Sequence, residues 1–495
     1  MGHPEAYSLL RCGSWLSFVA RKILLSRSRI ITKTVFVMPE LAPVLDHLDK
    51  SLDQSLERLF TLLRLKSIST DPAFADECRK AAEWLVEDLR SIGFEASVRD
   101  TQGHPMVVAH HDGDGPHILF YGHYDVQPVD PLDLWDADPF APALAERDGH
   151  KVICGRGSAD DKGQLMTFVE ACRAYKAVHG KLPCKVTILF EGEEESGSPS
   201  LKPFLEANAE ELKADFALVC DTGMWDRATP AISTALRGLV GEEVTVKAAN
   251  RDLHSGEFGG AAANPIRILA RILADIHDEN GRVTIPGFYD GVEETPSQIL
   301  KSWETLGLTP EKFLGPIGLS EPAGEKGRSI LELVWARPTA EFNGISGGYT
   351  GKGFKTVIAA EASAKVSFRL VHSQDPDKIR AAFREFVKAR IPTDCSVEFA
   401  KHGGSPAIQL AYDSPFLSKA QAALTDEWPN PAVMTAMGGS IPIVGDFQKM
   451  LGMESLLVGF GLPDDRVHSP NEKYDLASFH KGQRSWVRIL DALAK

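Results

Sequence analysis

An acidic cluster directly after an apolar run constrains this sequence more than any other feature. Residues 186–190 read as a buried strand, and Glu191, Glu193, Glu194 and Glu195 follow immediately. Placing like charges beside apolar surface is costly unless cations neutralise them or protons bind. The cluster therefore points to a metal, a catalytic proton, or both, although taken alone it also fits a solvated acidic turn.

Length and composition indicate how large a core the chain can form and which classes of binding partner are unfavourable. With 495 residues, 43% of them hydrophobic, the chain can bury a sizeable core, and two domains are expected. The net charge of −14 argues against nucleic acid or an anionic membrane as the main partner. Seven scattered cysteines, without a CxxC pair, are typical of reduced thiols in a cytoplasmic protein.

The first 37 residues differ in charge from the rest of the chain. They carry six basic residues against the single acid Glu5. This bias fits a targeting segment, and it equally fits a disordered leader or an over-extended start of the chain. No apolar stretch in residues 1–37 is long enough to span a bilayer. We predict that this segment takes no part in the chemistry.

The remaining pattern predicts an α/β catalytic domain built from residues 38–232 and 406–495. Short apolar runs alternate there with helical periodicity, which indicates a mostly parallel sheet with helices on both faces. Ligands of such sheets collect outside the carboxyl ends of the strands. The apolar runs are residues 117–121, 186–190, 216–220 and 455–460.

The middle of the chain, residues 233–405, follows a different pattern. Residues 244–247 and 365–370 alternate polar and apolar side chains, as half-exposed antiparallel strands do. Helical periodicity appears at residues 266–276 and 379–387. The sequence therefore predicts an α+β unit inserted into the α/β domain.

Polar residues follow several of the predicted strands. Each has an ordinary explanation when taken alone: a strand-end aspartate is usually a helix cap, and a Gly-rich turn before a helix can cradle a phosphate. Together they predict a site with nitrogen and oxygen ligands, suited to zinc, with cobalt or manganese as substitutes. These residues are His123, Asp125, Asp160, Asp161, Glu194, Glu195, Asp221 and His468.

The ordered motifs resemble those of the carnosinase, aminoacylase and carboxypeptidase G group of dinuclear zinc amidohydrolases. The resemblance extends over nearly the whole chain after Met38. It is carried by residues 122–125, 155–163 and 194–198 with Asp221 and His468. Residues 251–256 and 438–442 are similar to the carnosinase-like dipeptidase branch in particular.

The resemblance implies a ligand set for two Zn²⁺ ions. Asp160 would bridge both metals, His123 and Asp221 would complete one site, and Glu195 and His468 would complete the other. Paired metals about 3.5–4 Å apart can hold a bridging water and polarise the scissile carbonyl.

Further roles follow from the same resemblance. Asp125 would fix the tautomer of His123. Glu194 would be the general base, which leaves Glu193 as an outer residue. His254 would reach across a homodimer interface to stabilise the oxyanion, so the inserted domain would serve as both lid and dimerisation module.

Substrate contacts are the last group of residues that the resemblance implies. Arg369 in the inserted domain would bind a carboxylate of the substrate, and Gly439 and Ser440 would bind the same end of the ligand. His402 would be a second group of the inserted domain near the substrate. One departure is Met437, because carnosinase-like dipeptidases often have a glutamate there, suited to a free amino group. Without it, an N-acyl amino acid becomes a more credible substrate.

The sequence thus predicts a dinuclear metal-dependent hydrolase that cleaves the amide bond of dipeptides or related N-acyl amino acids. The reaction would use the metal-bridging water, with Glu194 as the base. An N-acyl-amino-acid deacylase acting on acetyl, succinyl or carbamoyl compounds is the alternative within this class. A non-catalytic amino-acid-binding protein on the same fold is a more remote alternative.

Overall fold

The computed structural model describes residues 40–438 and 442–495. The predicted leader, residues 1–37, lies outside the described residues. None of the helices in the described ranges is both long enough and apolar enough to cross a bilayer.

The strands of the described residues form four sheets. In chain order they are β1 (Glu95–Arg99), β2 (Met106–His111), β3 (His117–His123), β4 (Ala143–Arg147), β5 (His150–Cys154), β6 (Lys185–Glu191), β7 (Phe216–Val219), β8 (Ala231–Leu236), β9 (Gly238–Lys247), β10 (Leu253–His254), β11 (Thr339–Gly347), β12 (Val357–Ile358), β13 (Glu361–Leu370), β14 (Ser396–Ser405), β15 (Ile408–Gln409), β16 (Val433–Met437), β17 (Ser455–Val458) and β18 (Lys473–Asp475).

The α-helices cover the sheets. In chain order they are α1 (Leu41–Lys50), α2 (Leu52–Leu63), α3 (Ala75–Ser91), α4 (Lys162–His179), α5 (Leu201–Ala207), α6 (Ala209–Leu212), α7 (Ser255–Phe258), α8 (Pro265–Ala274), α9 (Ser297–Glu304), α10 (Pro310–Leu314), α11 (Pro376–Lys388), α12 (Pro415–Glu427), α13 (Pro442–Asp446) and α14 (Leu476–Ala494).

The largest sheet has nine strands, in the order β1-β2-β6-β3-β7-β17-β8-β15, with β16 beside β8. Its four central strands, β6, β3, β7 and β17, run parallel. Strands β1 and β2 join antiparallel on one flank, and β8 pairs antiparallel with β17 on the other. The predicted mostly parallel sheet is therefore confirmed at its centre, with antiparallel strands on both flanks.

Strand β3 shows why helices must cover both faces of this sheet. Successive side chains of a strand point to opposite faces. Ile118 and Phe120 belong to a core shared with α4 and α14, whereas Leu119 and Tyr121 belong to a second core on the other face. On the first face, the ring of Phe120 stacks on Phe168 at a centroid distance of 3.8 Å.

A four-stranded antiparallel sheet lies between β8 and β15 along the chain, in the order β11-β13-β9-β14. Buried and partly exposed side chains alternate along β9 and β13, as the sequence predicts for half-exposed strands. The buried face packs on α8 and α11 around Val244 and Phe368. The chain thus leaves the large sheet, builds a second α+β unit, and returns.

Candidate metal centre

Two groups of side chains, sharing Asp160, could each hold a metal ion. His123, Asp160 and Asp221 form the first group, and Asp160, Glu195 and His468 form the second. Within each group every residue offers one ligand atom, and these atoms lie within 4.8 Å of one another. The five residues that the sequence assigns to a metal pair therefore meet at one place.

The carboxyl ends of the parallel strands deliver most of these ligands. His123 is the last residue of β3, and Asp221 follows β7 by two residues. Glu195 lies in a 3-10 turn, Glu194–Ser196, just after β6. Asp160 precedes helix α4, and His468 lies in the loop between β17 and β18. Parallel neighbours end at the same edge of the sheet, so residues distant in sequence converge there.

Asp160 contacts both imidazoles with separate oxygen atoms. Its Oδ1 lies 3.0 Å from Nε2 of His123, and its Oδ2 lies 3.0 Å from Nε2 of His468. His468 Nε2 is also 3.2 Å from Oε2 of Glu195. A carboxylate that presents its two oxygens to two nitrogen ligands is placed to bridge two cations.

The electrostatics of the cluster show that it needs positive charge. Burial, followed by the charge of Asp160, raises the pKa of Asp221 well above its ordinary value. Burial also acts to raise the pKa of Asp160, but hydrogen bonds from His123 and His468 outweigh it and bring the pKa below normal. The same contacts with Asp160 and Glu195 raise the pKa of His468 to about 10. The cluster therefore places carboxylates together at a buried position, where neutralising their charge is favourable.

Asp125 connects the two ligand groups. It is fully buried, and its Oδ1 and its backbone carbonyl lie 3.3 and 3.1 Å from Nδ1 of His123. Its carboxylate also accepts from the backbone N–H groups of Glu194 and Glu195, at 3.3 and 3.0 Å. One side chain therefore orients a ligand of the first group and fixes the turn that carries Glu195.

The three glutamates after β6 have separate environments. The carboxylate of Glu193 is buried and accepts from the backbone N–H groups of His104 and Ser200, at 2.9 and 3.0 Å. It therefore stabilises the local backbone. Burial raises the pKa of Glu194, with His123 partly offsetting the effect. Glu194 is thus a partly desolvated carboxyl beside the ligand groups.

Glu472 holds the loop that carries Asp160, and this role of Glu472 was not predicted from the sequence. Its Oε1 accepts from the backbone N–H groups of Ala159 and Asp160, at 2.9 and 3.1 Å. Its Oε2 accepts from the Gly157 backbone at 3.0 Å and from Arg156 Nη1 at 2.7 Å. The sequence gives no signal for this role, because Glu472 lies more than 300 residues after the loop it supports.

Two more residues support the ligands: Gln127, which was not predicted, and Asp161, which was predicted only as one of the polar residues of the site. Gln127 Nε2 donates to Oε2 of Glu195 at 2.7 Å, which orients that ligand. Asp161 is buried, and its Oδ2 accepts from the His123 backbone N–H at 3.1 Å. The sequence offered only the position of Asp161 in a Gly-rich turn, and nothing distinguished Gln127.

The residues present fit a pair of divalent cations. Oε1 of Glu195 is buried and has no hydrogen-bond partner among the described residues. Carboxylate oxygens and imidazole nitrogens are ligands that zinc and related ions accept. The neighbours Asp125 and Gln127 orient the ligands, as residues around metal sites usually do. A buried carboxylate oxygen without a hydrogen-bond partner, inside a cluster of carboxylates, is suited to contact a cation.

The other predicted site residues lie elsewhere. His254, in β10, is exposed, and its Nδ1 accepts from the Gly256 backbone N–H at 3.0 Å. Arg369, in β13, lines a cavity of about 780 Å³ together with Arg237. His402, in β14, is exposed, with Nε2 3.3 Å from Oε2 of Glu243. None of these three belongs to either ligand group. Gly439 and Ser440 lie outside the described residues.

The α/β sheet and its inserted unit thus carry two candidate metal-ligand groups that share Asp160. Peptidase family M20/M25/M40 matches residues 119–492 of the sequence. The chain therefore belongs to this family, which confirms the predicted resemblance and the predicted class of enzyme.

Individual relatives agree with this assignment. The Cys-Gly metallodipeptidase DUG1 of Candida albicans is 30% identical over 473 residues, which cover 91% of this chain and 97% of the relative. The human Beta-Ala-His dipeptidase is 27% identical over 476 residues, covering 92% and 93%. The solved structure of the M20 family metallo-carboxypeptidase Sso-CP2 from Sulfolobus solfataricus has a TM-score of 0.74 at 30% identity, covering 89% of this chain and 99% of that chain.

Proposed function

We propose that this chain is a metallopeptidase that hydrolyses dipeptides with two divalent cations. The observation that carries the proposal is Asp160, which belongs to both ligand groups. The names of two relatives, a Cys-Gly metallodipeptidase and a Beta-Ala-His dipeptidase, support dipeptides as the substrate class. Zinc is the proposed metal because both groups combine imidazole nitrogen with carboxylate oxygen, and cobalt or manganese would substitute.

The residues around the ligands supply the proton transfers. When bound, a metal pair of this kind polarises the scissile carbonyl and lowers the pKa of water. Glu194 then accepts a proton from the attacking water and returns it to the leaving nitrogen as the C–N bond breaks. Burial raises the pKa of Glu194, which makes its carboxylate a stronger base and favours the first of these steps. Asp125 keeps His123 in one orientation throughout.

The inserted unit is the proposed source of substrate contacts. Arg369 and Arg237 line the same cavity, and burial together with Arg369 lowers the pKa of Arg237 to about 10. Two guanidiniums facing one cavity are a suitable receptor for the carboxylate at the end of a dipeptide. His402, Gly439 and Ser440 remain proposed contacts at this end of the substrate.

A deacylase acting on N-acyl amino acids is the second candidate, and Met437 favours it. The side chain at this position lines a cavity beside Asp221 and carries no charge that could pair with an ammonium. A panel of dipeptides and matched N-acetyl, N-succinyl and N-carbamoyl amino acids, tested with zinc, cobalt and manganese, distinguishes the two candidates. Dipeptides are expected to be cleaved fastest.

We propose that the protein works as a homodimer joined through the inserted domain, residues 233–405, with the catalytic domain formed by residues 38–232 and 406–495. Strand β11 is an edge of the four-stranded sheet, and it exposes Phe342 and Ile345. Exposed His254 would then complete the site of a second copy. The six cysteines of the described residues are free thiols, which fits a reducing compartment such as the cytoplasm.

Replacing the proposed base tests the function directly. The variant Glu194→Ala should keep about two metal ions per chain, because Glu194 belongs to neither ligand group. Its kcat for dipeptide hydrolysis should fall by about 10²–10⁴. The exposed Glu210→Ala serves as the control and should match the parent. A Glu194→Ala protein that holds both metals and hydrolyses dipeptides at the parent rate would disprove the assignment.

A further inference from the structure

A small cavity opens directly beside the first ligand group. Its volume is about 300 Å³, and Asp160 and Asp221 form one side of it. Away from these carboxylates its wall is largely apolar, with Met224, Met437 and Leu462 as the main contributors. The cavity is therefore polar where it meets the metal ligands and apolar farther away.

Two chain segments fix the shape of this cavity. The backbone N–H of Met224 donates to the carbonyl of Gly461 at 2.8 Å, and Gly223 pairs with Gly461 in a parallel bridge. A Cβ atom on Gly223 would lie 2.8 Å from that carbonyl, so the close approach of the two segments requires glycine. Met224 and Leu462 are 5% and 7% exposed. The residues of the apolar wall are therefore held in place by the packing of these two segments.

One polar group of the wall has no partner. Thr222 is 6% exposed, and its Oγ1 makes no hydrogen bond within the described residues. In the neighbouring Gln164, the Oε1 atom accepts from the Phe460 backbone N–H at 2.8 Å. Apart from Asp160 and Asp221, Thr222 and Gln164 are the polar side chains of the described lining.

Charged groups would bind poorly in this cavity. Its described lining contains no Lys, Arg or His, and its only acids are the metal ligands Asp160 and Asp221. A buried charge without a partner is strongly disfavoured. An aliphatic group, by contrast, removes its own surface and that of the methionines and Leu462 from water.

The position of Met437 shows which part of a substrate this cavity receives. The backbone carbonyls of Met437 and Gly438 accept from the N–H and the Nε of Arg237, at 3.2 and 3.3 Å. Arg237 faces the separate cavity that contains Arg369, whereas the side chain of Met437 lines the apolar cavity. Residue 437 therefore stands between a cationic cavity and an apolar one.

We infer that the apolar cavity is a specificity pocket for an aliphatic side chain on the residue that supplies the scissile carbonyl. This inference rests on the proposed function. The carboxylate of the leaving amino acid would be drawn to Arg237 and Arg369, so the substituent on the carbonyl side takes the cavity next to Asp221. Met437 determines the preference, and Leu-Gly and Met-Gly are the preferred kind of dipeptide.

A panel of Xaa-Gly dipeptides tests the inference with the metal-loaded full chain. The kcat/KM for Leu-Gly and Met-Gly should exceed that for Gly-Gly by at least about tenfold, because even one methylene in a hydrophobic pocket discriminates by about 10–200-fold. Asp-Gly and Lys-Gly should fall below Gly-Gly. Equal rates for Leu-Gly and Gly-Gly would overturn the inference while leaving the proposed function standing. Failure to hydrolyse any dipeptide would instead contradict the proposed function.

Two substitutions at residue 437 test whether the cavity causes the preference for an aliphatic side chain. Met437→Glu should lower the ratio of kcat/KM for Leu-Gly to that for Gly-Gly by about tenfold, because a carboxylate in the wall repels an aliphatic side chain. Met437→Leu, which keeps the wall apolar, should preserve that ratio. The exposed Leu144→Glu controls for the added charge. An unchanged ratio in Met437→Glu would show that the cavity does not select the side chain.

Binding without turnover gives an independent readout. In the metal-loaded parent protein, 4-methylpentanoate should raise the thermal unfolding midpoint more than acetate does, because only the longer acid has an aliphatic chain to place in the cavity. The difference should disappear in Met437→Glu. The thermal midpoint of Met437→Glu without ligand shows whether the variant is folded. Equal shifts from both acids in the parent protein would contradict the inference.

Discussion

Asp160 interacts with four other residues of the site. Both imidazoles donate to its oxygens, and its charge raises the pKa of Asp221. Its own backbone N–H is held by Glu472. The Asp160 carboxylate is held by two imidazoles, and its backbone is held by Glu472. The carboxylate would therefore already be positioned before a metal binds. Preorganisation of this kind strengthens metal binding.

Glu472 is the residue whose replacement tests this preorganisation. In Glu472→Gln an amide group, with one accepting oxygen, replaces a carboxylate that accepts from three backbone N–H groups and Arg156. Metal affinity or turnover should fall by about 10–100-fold, as for other residues that support ligands. Metal titration of the demetallated protein, followed by kcat measurement at saturating zinc, provides the values.

The control for this variant is Glu385→Gln, an exposed glutamate of α11 that should have no effect. If Glu472→Gln binds zinc and turns over substrate as the parent does, the loop does not depend on this carboxylate.

At the residue scale, the sequence predicts ligands better than it predicts their supports. His123, Asp160, Glu195, Asp221 and His468 follow strands or Gly-rich turns, so their positions carry a signal, and the structure brings them together. Glu472 and Asp161 accept from backbone N–H groups of distant segments, and Gln127 donates to the side chain of Glu195. No local pattern records such a contact, because it exists only after the chain has folded.

Among the helices, α12 and α14 are joined by a buried ion cluster. Glu427, at the end of α12, accepts from Nε of Arg484 and Nε of Arg488, both at 2.8 Å. Its side chain is 3% exposed. Burial acts to raise the pKa of Glu427, but the hydrogen bonds from Arg484 and Arg488 outweigh it and the pKa lies below normal. The charged form of Glu427 therefore stabilises the contact between the two helices.

This lowered pKa predicts a pH-dependent stability. A carboxyl with a depressed pKa stabilises the fold above its unfolded pKa, and the effect is lost as the pH falls through the folded value. Glu427→Gln should destabilise the protein by about 1–3 kcal/mol at pH 7, since it leaves arginines without their anion. The loss should shrink as the pH falls below about 4.

Unfolding curves of the parent and Glu427→Gln between pH 3.5 and 8 measure this effect. The surface pair of Glu385 and Lys388 gives the matched control, because Glu385→Gln removes an exposed partner and should cost less than about 1 kcal/mol at any pH. A Glu427→Gln loss that stays constant across the range would show that charge is not the cause.

At the element scale, the central strands and the alternating strands of the inserted unit could be predicted from apolar runs and period-two patterns. The antiparallel flanks of the large sheet could not. Strand β2, for example, pairs with β6, which lies more than 70 residues later. Whether a short strand pairs parallel or antiparallel depends on such long-range contacts, which leave no local trace in the sequence.

For the whole molecule, the exposed edge of the inserted unit supports the proposal of a homodimer. Natural proteins rarely leave an edge strand with exposed apolar side chains unprotected. Ile345 in β11 is 65% exposed, and nearby Phe342 is 39% exposed. A second copy would bury this edge and bring His254 of one chain near the site of the other.

The dimer proposal predicts the behaviour of Ile345→Lys. A charge in the proposed interface should convert the protein from dimer to monomer in size-exclusion chromatography with light scattering. Turnover should fall with the dimer, because His254 would no longer reach the neighbouring site. Leu144→Lys, exposed on β4, is the matched control and should remain dimeric. A parent protein that is monomeric and fully active would rule out this role for β11.

The most direct test of the proposed metal pair is the location of metal ions by anomalous diffraction from crystals grown with zinc. The proposed pair predicts two zinc peaks per chain, about 3.5–4 Å apart, with the carboxylate of Asp160 between them. His123 and Asp221 should contact one peak, and Glu195 and His468 the other. A single peak, or peaks that leave Asp160 uncoordinated, would contradict it.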